Sequence, residues 1–232
     1  MPVSGAKNSA LKLMAATLLA PGKTTLRNVP DISDVHVMGK VLKGMGATID
    51  VLDEHTLEID TSQVDSWEAP YELVAKMRAS TAVMGPLLGR FHRAKIAMPG
   101  GCNLGARKID MHILGLEALG VEFDTAHATS TPVLPRVCTA PPSRSNSRAW
   151  APPRTSSWLP CAHRHHGYRQ RCPRARDRRP CNMLNEMGAK IVGAGTPVVT
   201  IEAWRSCIPL PIAWWVTASR PAPLSSPAPH GR

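Results

Sequence analysis

The phrases KGMGATIDV at 43–51, EALGVEFDT at 117–125 and NEMGAKIVG at 185–193 decide how this 232-residue chain is expected to fold. Each phrase reads as the end of a helix, then a glycine, then a strand. The shared glycines, Gly46, Gly120 and Gly188, stand 74 and 68 residues apart. A repeat of this length is too long for the common solenoids. It therefore predicts an α/β domain assembled from three copies of one unit.

The residues around these phrases predict further helices and strands. An apolar helix is expected at 9–20, where Pro21 and Gly22 end it. A second helix is expected to be capped by Asp34 and to stop at Gly46. The other predictions are strands at 47–51 and 56–60 joined by a turn at 53–55, a helix at 71–88, a strand at 96–98, a glycine-rich loop at 99–107, a helix at 110–119 and a strand at 121–124.

Charge is distributed very unevenly along the chain. Up to His127, 13 Lys and Arg face 14 Asp and Glu, a net charge of −1, whereas the rest holds 15 against 3, a net charge of +12. The second half also carries 16 of the 22 prolines. An Arg-rich half would ordinarily indicate binding to nucleic acid or another polyanion. No run of about 18 apolar residues and no signal peptide is recognised, so we expect a cytoplasmic protein without a membrane span.

A few residues could carry chemistry. Cys102 lies in the glycine-rich stretch PGGCNLGAR with Arg107 and Lys108 close by, a setting typical of a reactive thiol, although a lone cysteine is as often a small buried apolar residue. Lys7 could bind an anion or simply be a solvated surface residue. Arg78 could bind phosphate or carboxylate, or form a helix-face ion pair with Glu72.

Three long motifs resolve these alternatives. VSGAKNSALKLMAATLLA at 3–20, YELVAKMRASTAVMGPLLGRF at 71–91 and PGGCNLGARKIDMHILGLEALG at 99–120 closely resemble the UDP-N-acetylglucosamine enolpyruvyl transferases of bacterial cell-wall synthesis. The resemblance runs from Val3 to Ala126 and resumes at 182–202. It implies two domains, each an inside-out α/β barrel of three repeated units with helices inside and sheets outside. It also implies transfer of the enolpyruvyl group of phosphoenolpyruvate to the 3′-hydroxyl of UDP-N-acetylglucosamine with release of phosphate, the first committed step of peptidoglycan synthesis.

The resemblance assigns a role to each candidate. Cys102 matches the loop cysteine that donates a proton, assists product release and is alkylated by the epoxide fosfomycin. Lys7 and Asn8 match the pair that contacts phosphoenolpyruvate. The nucleotide sugar is expected at Arg78, Arg107, Lys108, Ile109, Asp110, Met111 and His112. No cofactor and no metal is implied, and His36, His55 and His92 are expected to be surface residues.

The resemblance breaks at about 128–181 and again from Ala203, where the composition changes as well. Shifted reading frames explain both breaks. Ser145–Ala162, back-translated from the third codon base, allows EFPSVGATENILMAA, and Tyr168–Cys181 from the second base allows IDNAAREPEIVDLA. The tail from Ala203 allows GVEELHPVAHRVVGDRIEAGT, and all three phrases are typical of the family. We therefore divide the chain into the first part of the catalytic-loop domain at 1–127, a frame-shifted segment expected to be disordered at 128–181, a third-repeat remnant at 182–202 and a frame-shifted tail at 203–232.

Other interpretations of the chain follow from the same residues. The segment HRHHGYRQRC at 163–172 contains His and Cys but no regular metal-ligand spacing. A 5-enolpyruvylshikimate-3-phosphate synthase shares the architecture, yet it lacks the GGCNLGAR loop. A third possibility is that the basic half binds polyanions. Because the domain is incomplete and no second domain is recognised, the chain as written is expected to be inactive.

Overall fold

A computed structural model describes residues 5–76, 78–97, 113, 116–117, 121–124, 129–133, 168–170, 178–194, 196, 199–202 and 214–215. The helices are α1 (Lys7–Ala16), which continues as a 3₁₀ turn at Thr17–Leu19, α2 (Ser33–Gly44), α3 (Tyr71–Lys76), α4 (Met84–Phe91), preceded by a 3₁₀ helix at Arg78–Val83, and α5 (Arg178–Glu186). The strands are β1 (Lys23–Arg27), β2 (Thr48–Asp53), β3 (Thr56–Asp60), β4 (Ile96–Ala97), β5 (Glu122–Asp124), β6 (Thr129–Val133), β7 (Tyr168–Gln170), β8 (Lys190–Val192), β9 (Val199–Glu202) and β10 (Trp214–Trp215).

The strands form three small sheets with the same topology. Their orders are β10-β1-β3-β2, β4-β6-β5 and β7-β9-β8. In each sheet one strand, β3, β6 or β9, is antiparallel to two neighbours. One neighbour is the strand just before it in the chain, β2, β5 or β8. The other is an earlier strand, β1, β4 or β7. Among the described strands, only β10 pairs in parallel, at the free edge of β1. The three-copy α/β architecture predicted from the sequence repeat is therefore confirmed.

The same backbone hydrogen bond recurs in each unit just before its strand begins. An amide just after the shared glycine donates to a carbonyl five residues earlier, which is the long bond of a Schellman motif. These bonds run from Ala47 to Leu42, from Val121 to Leu116 and from Ala189 to Leu184, at 3.1, 3.0 and 2.9 Å. Gly46 and Gly188 have φ of 102° and 101°, a left-handed conformation that only glycine adopts without strain. Backbone geometry thus explains the glycines at positions 46 and 188.

Helix α1 lies at the centre of the core. Every residue from Ala10 to Ala16 is buried, and the helix contacts α2, α5 and the 3₁₀ helix at 78–83. The surrounding core draws on all three units, since Met38, Leu116 and Leu184 are each fully buried. Burying a leucine or methionine side chain contributes about 1.5–3 kcal/mol. A helix that is apolar on all sides can therefore be stable only inside, with the sheets around it.

Several predicted elements differ in the structure. Asp34 does not cap α2, because the helix begins at Ser33 and the cap position is Ile32, which makes no side-chain cap bond. The helix predicted at 71–88 is broken into α3, a 3₁₀ helix and α4. Pro86 explains the last break, because a proline ring clashes with the carbonyl four residues earlier and lacks an N–H donor, so it is tolerated only in a helix's first turn. Strand β1 was not predicted.

Parts of the segment predicted to be disordered are structured. Strands β6 and β7 and the start of α5 lie within 128–181, and β10 lies in the tail at 203–232. The rest of both segments lies outside the described residues, so the domain limits stay a prediction. Within the part of the chain that the structure describes, no helix is both long and apolar enough to cross a membrane.

Candidate functional site

The described part of the candidate site is the N-terminal end of α1. Lys7 and Asn8 are the first two residues of this helix, and both side chains are exposed. Ala6 occupies the cap position in an extended conformation and makes no side-chain cap bond, and the first turn contains no acidic residue. The first amides of a helix have no intrahelical acceptor. The positive end of α1 and the Lys7 ammonium therefore both favour negative charge near the start of this helix.

An ion pair joins this end of α1 to α2. The Lys7 ammonium contacts Oδ2 of Asp34, which lies in the first turn of α2. The Asp34 side chain is 26% exposed and that of Lys7 is 55% exposed. The carboxylate is itself placed in the first turn of α2, at the positive end of that helix. Sequence reasoning found Asp34 but assigned it a capping role, and only the packing of α1 on α2 reveals its partner.

Arg78 is the first residue of the 3₁₀ helix at Arg78–Val83, which contacts α1. Arg78 therefore lies on an element that packs against the helix carrying Lys7 and Asn8. The guanidinium of Arg78 lies outside what the structure describes. The same holds for the whole of the remaining candidates: Cys102, Arg107, Lys108, Ile109, Asp110, Met111 and His112. Their roles stay predictions.

Two polar residues of α1 were not singled out from the sequence. Lys12 is only 7% exposed, although the helix around it is apolar. It is the only charged residue at 9–20, and this would have been the signal to find it. The hydroxyl of Ser9 is buried and has no hydrogen-bond partner among the residues that the structure describes. Sequence periodicity could not show this, because it does not reveal which neighbours surround a helix face.

The surface histidines are as predicted. His36, His55 and His92 are all exposed. The ring of His36 lies 2.6 Å from Asp31 Oδ1, and the ring of His55 lies 3.2 Å from the carbonyl of Val29. Neither contact involves the candidate site residues.

A family model described as EPSP synthase (3-phosphoshikimate 1-carboxyvinyltransferase) matches residues 1–137, more than half of the chain. The chain belongs to this enolpyruvyl transferase family. Three relatives are named UDP-N-acetylglucosamine 1-carboxyvinyltransferase. The protein from Chloroherpeton thalassium is 52% identical over a match that covers 52% of this chain and 28% of the relative. The protein from Trichlorobacter lovleyi is 39% identical, and the match covers 86% of this chain and 48% of the relative. The protein from Mycobacterium tuberculosis is 41% identical, with 86% of this chain and 47% of the relative covered.

Solved enolpyruvyl transferases have the same fold. The enolpyruvyl transferase NikO from Streptomyces tendae superposes with a TM-score of 0.75 at 21% identity, over 92% of this chain and 50% of its own. EPSP synthase from Acinetobacter baumannii superposes with a TM-score of 0.71 at 12% identity, over 90% of this chain and 47% of its own. The enolpyruvyl transferase fold expected from the sequence is confirmed. This chain spans at most about half the length of the curated relatives that it matches.

Proposed function

We propose that this chain supplies one of the two domains of an enzyme that transfers the enolpyruvyl group of phosphoenolpyruvate to the 3′-hydroxyl of UDP-N-acetylglucosamine. The observation that carries the proposal is the shared name of its curated relatives, which are 39–52% identical to it. The proposal brings with it a cytoplasmic location and a role in peptidoglycan synthesis, cell shape and cell division.

The reaction needs groups that hold anions and one that moves a proton. In the addition step the sugar hydroxyl gives up its proton as its oxygen bonds to C2 of phosphoenolpyruvate, and a proton adds to the methylene carbon. In the elimination step that carbon loses a proton and the C2–phosphate bond breaks, which restores the double bond and releases phosphate. Cys102 is assigned proton donation to the methylene carbon. Arg78 and Arg107 are assigned to the anionic groups in the cleft, where guanidinium groups suit phosphate and carboxylate.

The N-terminal end of α1 is assigned the phosphoenolpyruvate anion. Support comes from the exposed ammonium of Lys7, the neighbouring amide of Asn8 and the uncapped first turn. A compact ammonium charge and the free amides of a helix start act on the same anion. The stretch Lys108–His112 is assigned to the uridine end of the nucleotide. These assignments use one wall of a cleft, so the second domain must supply the opposite wall.

The first test is the coding DNA. The three hidden phrases predict that single-base corrections near codon 128 and at the later slips restore an open reading frame of family length. High-accuracy reads that reproduce the present frame would contradict this. In the frame-corrected enzyme, phosphate release should depend on UDP-N-acetylglucosamine, and Cys102→Ser should lose most turnover because a hydroxyl is a weaker acid than a thiol. The fosfomycin adduct should map to Cys102 by mass spectrometry.

The family model's own description supports a second candidate, transfer to shikimate 3-phosphate. The two candidates are separated by supplying each acceptor to the frame-corrected enzyme. Turnover with shikimate 3-phosphate alone would overturn the proposal. A polypeptide of these 232 residues alone, which spans at most about half the length of its relatives, should show no acceptor-dependent phosphate release. Closure of two domains is needed to exclude water and complete the site.

A further inference from the structure

The ion pair between α1 and α2 has a feature that the other ion pairs of the described residues lack. Lys23 pairs with Glu58 across neighbouring strands, and Lys95 pairs with Glu68 beside a β-bridge. Lys7 and Asp34 instead join the first turns of two helices. Both members therefore lie in the positive field of a helix end, where a carboxylate is stabilised and an ammonium is destabilised by about 0.3–1 kcal/mol each.

We propose that Asp34 is a positioning residue that holds the Lys7 ammonium in place to receive an anion at the start of α1. The anion's identity as phosphoenolpyruvate rests on the proposed function. A lysine side chain has about 2 kcal/mol of rotamer entropy to lose, and the helix field pushes its charge outward. The carboxylate opposes both effects. An ammonium has three N–H donors, so a contact with one carboxylate oxygen leaves donors for a bound anion.

The packing around Asp34 agrees with this role. Asp34 is not the cap residue of α2, because Ile32 occupies the cap position. The side chain is about three-quarters covered, so it is held more firmly than the lysine that it contacts. Helix α2 packs on α1, which fixes the separation of the two helix starts. Asp34 is thus a fixed anchor, and Lys7 is the mobile group that the anchor restrains.

The test uses the 232-residue chain and a readout that needs no turnover. The rate at which an amine-acylating reagent modifies Lys7 is measured by peptide mass spectrometry, with the exposed Lys40 of α2 as an internal reference. Asp34→Asn should raise the relative rate at Lys7 about 2- to 5-fold, the range expected for loss of a partly exposed ion pair. Asp34→Glu, which keeps the charge, should restore much of the protection.

A matched control breaks an ion pair of similar exposure elsewhere. The carboxylate of Glu58 is 25% exposed, close to that of Asp34, and it holds Lys23 on the sheet. Glu58→Gln should raise the labelling of Lys23 and leave Lys7 unchanged. Circular dichroism melts of all variants separate a loss of folding from a local effect. An equal rise at Lys7 in the Asp34 and Glu58 variants would overturn the proposal.

The anion step follows with inorganic phosphate and, separately, phosphoenolpyruvate as protecting ligands. In the parent chain both anions should slow the labelling of Lys7. Asp34→Asn should raise the anion concentration needed for half-protection by about 3-fold or more, since a less restrained Lys7 ammonium binds an anion more weakly. Equal or tighter binding in that variant, or protection by neither anion, would overturn the proposal. Protection by phosphate alone would count against phosphoenolpyruvate as the substrate while supporting the role of Asp34.

Discussion

Arg90 is expected to be a main stabilising contact of the first unit. Its guanidinium donates to the carbonyls of Leu18, Thr61 and Val64, at 3.3, 3.1 and 3.0 Å. These bonds tie the end of α4 to the turn after α1 and to the segment that follows β3. Desolvation by burial lowers the pKa of Arg90, yet an arginine remains protonated at neutral pH. The three bonds are therefore charge-assisted and hold three chain segments together.

The effect of Arg90→Met can be worked out from these contacts. The carbonyl of Thr61 also accepts from the Val64 amide at 3.2 Å, so it keeps a partner when the guanidinium is removed. The other two carbonyls lose their guanidinium donor, which costs about 1–3 kcal/mol each. Because the side chain is only half-buried, water can replace part of the loss. We expect a net loss of about 3 kcal/mol, which lowers the urea midpoint by about 2 M if the m-value is about 1.5 kcal/mol/M.

The assay is urea unfolding followed by circular dichroism, with Arg93→Met as the matched control. Arg93 lies just after the same helix and is exposed, with its guanidinium 4.6 Å from the ring centroid of Trp67. Such an exposed contact contributes about 0.5–1 kcal/mol. Arg90→Lys should fall between the parent and Arg90→Met, because one ammonium lacks the fork geometry of a guanidinium. Equal midpoints for the Arg90→Met and Arg93→Met variants would refute the reasoning.

Three further predictions concern the same region. Gly46→Ala should destabilise the fold by about 1–3 kcal/mol because φ is 102° there, whereas Gly39→Ala, inside α2 with room for a Cβ, should stabilise it by about 0.5–1 kcal/mol; thermal melts of both variants compare them. Ser9→Ala should raise the unfolding free energy by about 1 kcal/mol in urea titrations, because it removes a buried hydroxyl without a partner; a destabilised variant would indicate an unseen one. The backbone amide of His55 lowers the pKa of Asp53, so this carboxylate stabilises the fold above about pH 4, and the stabilisation is lost as pH falls through its folded-state pKa. Asp53→Asn should therefore lose less unfolding free energy than the parent on acidification, and identical pH profiles of stability would argue against this.

Local patterns predicted much of the first unit. Strand β3 has the predicted limits, and α2 begins and β2 ends within a few residues of their predicted positions, because hydrophobic period and glycine placement act over a few residues. Strand β1 was missed since its five residues, KTTLR, contain a single large apolar side chain. Its stability comes from pairing with β3, which no local pattern shows. The break in the helix at 71–88 follows from Pro86, a signal that was present and not used.

The site residues likewise divide into those that sequence motifs predicted and a contact that only the structure shows. Lys7, Asn8 and Arg78 were found from motifs, and the structure places the first two on α1 and the backbone of the third on a neighbouring 3₁₀ helix. Cys102 and the other loop and nucleotide residues rest on the sequence alone. The relation of Asp34 to Lys7 could not be predicted, because the local pattern around Asp34 also fits a helix cap.

The sequence by itself determined the repeated unit, since a helix end that needs a left-handed residue selects glycine wherever it occurs in the chain. The sequence motifs also identified the candidate site residues. Only the tertiary structure decided which of them meet. The contacts of Asp34 with Lys7, and of Arg90 with carbonyls up to 72 residues away, depend on how α1 packs against α2 and α4 against the turn after α1. Such contacts are set by the filling of a shared core, which no segment specifies alone.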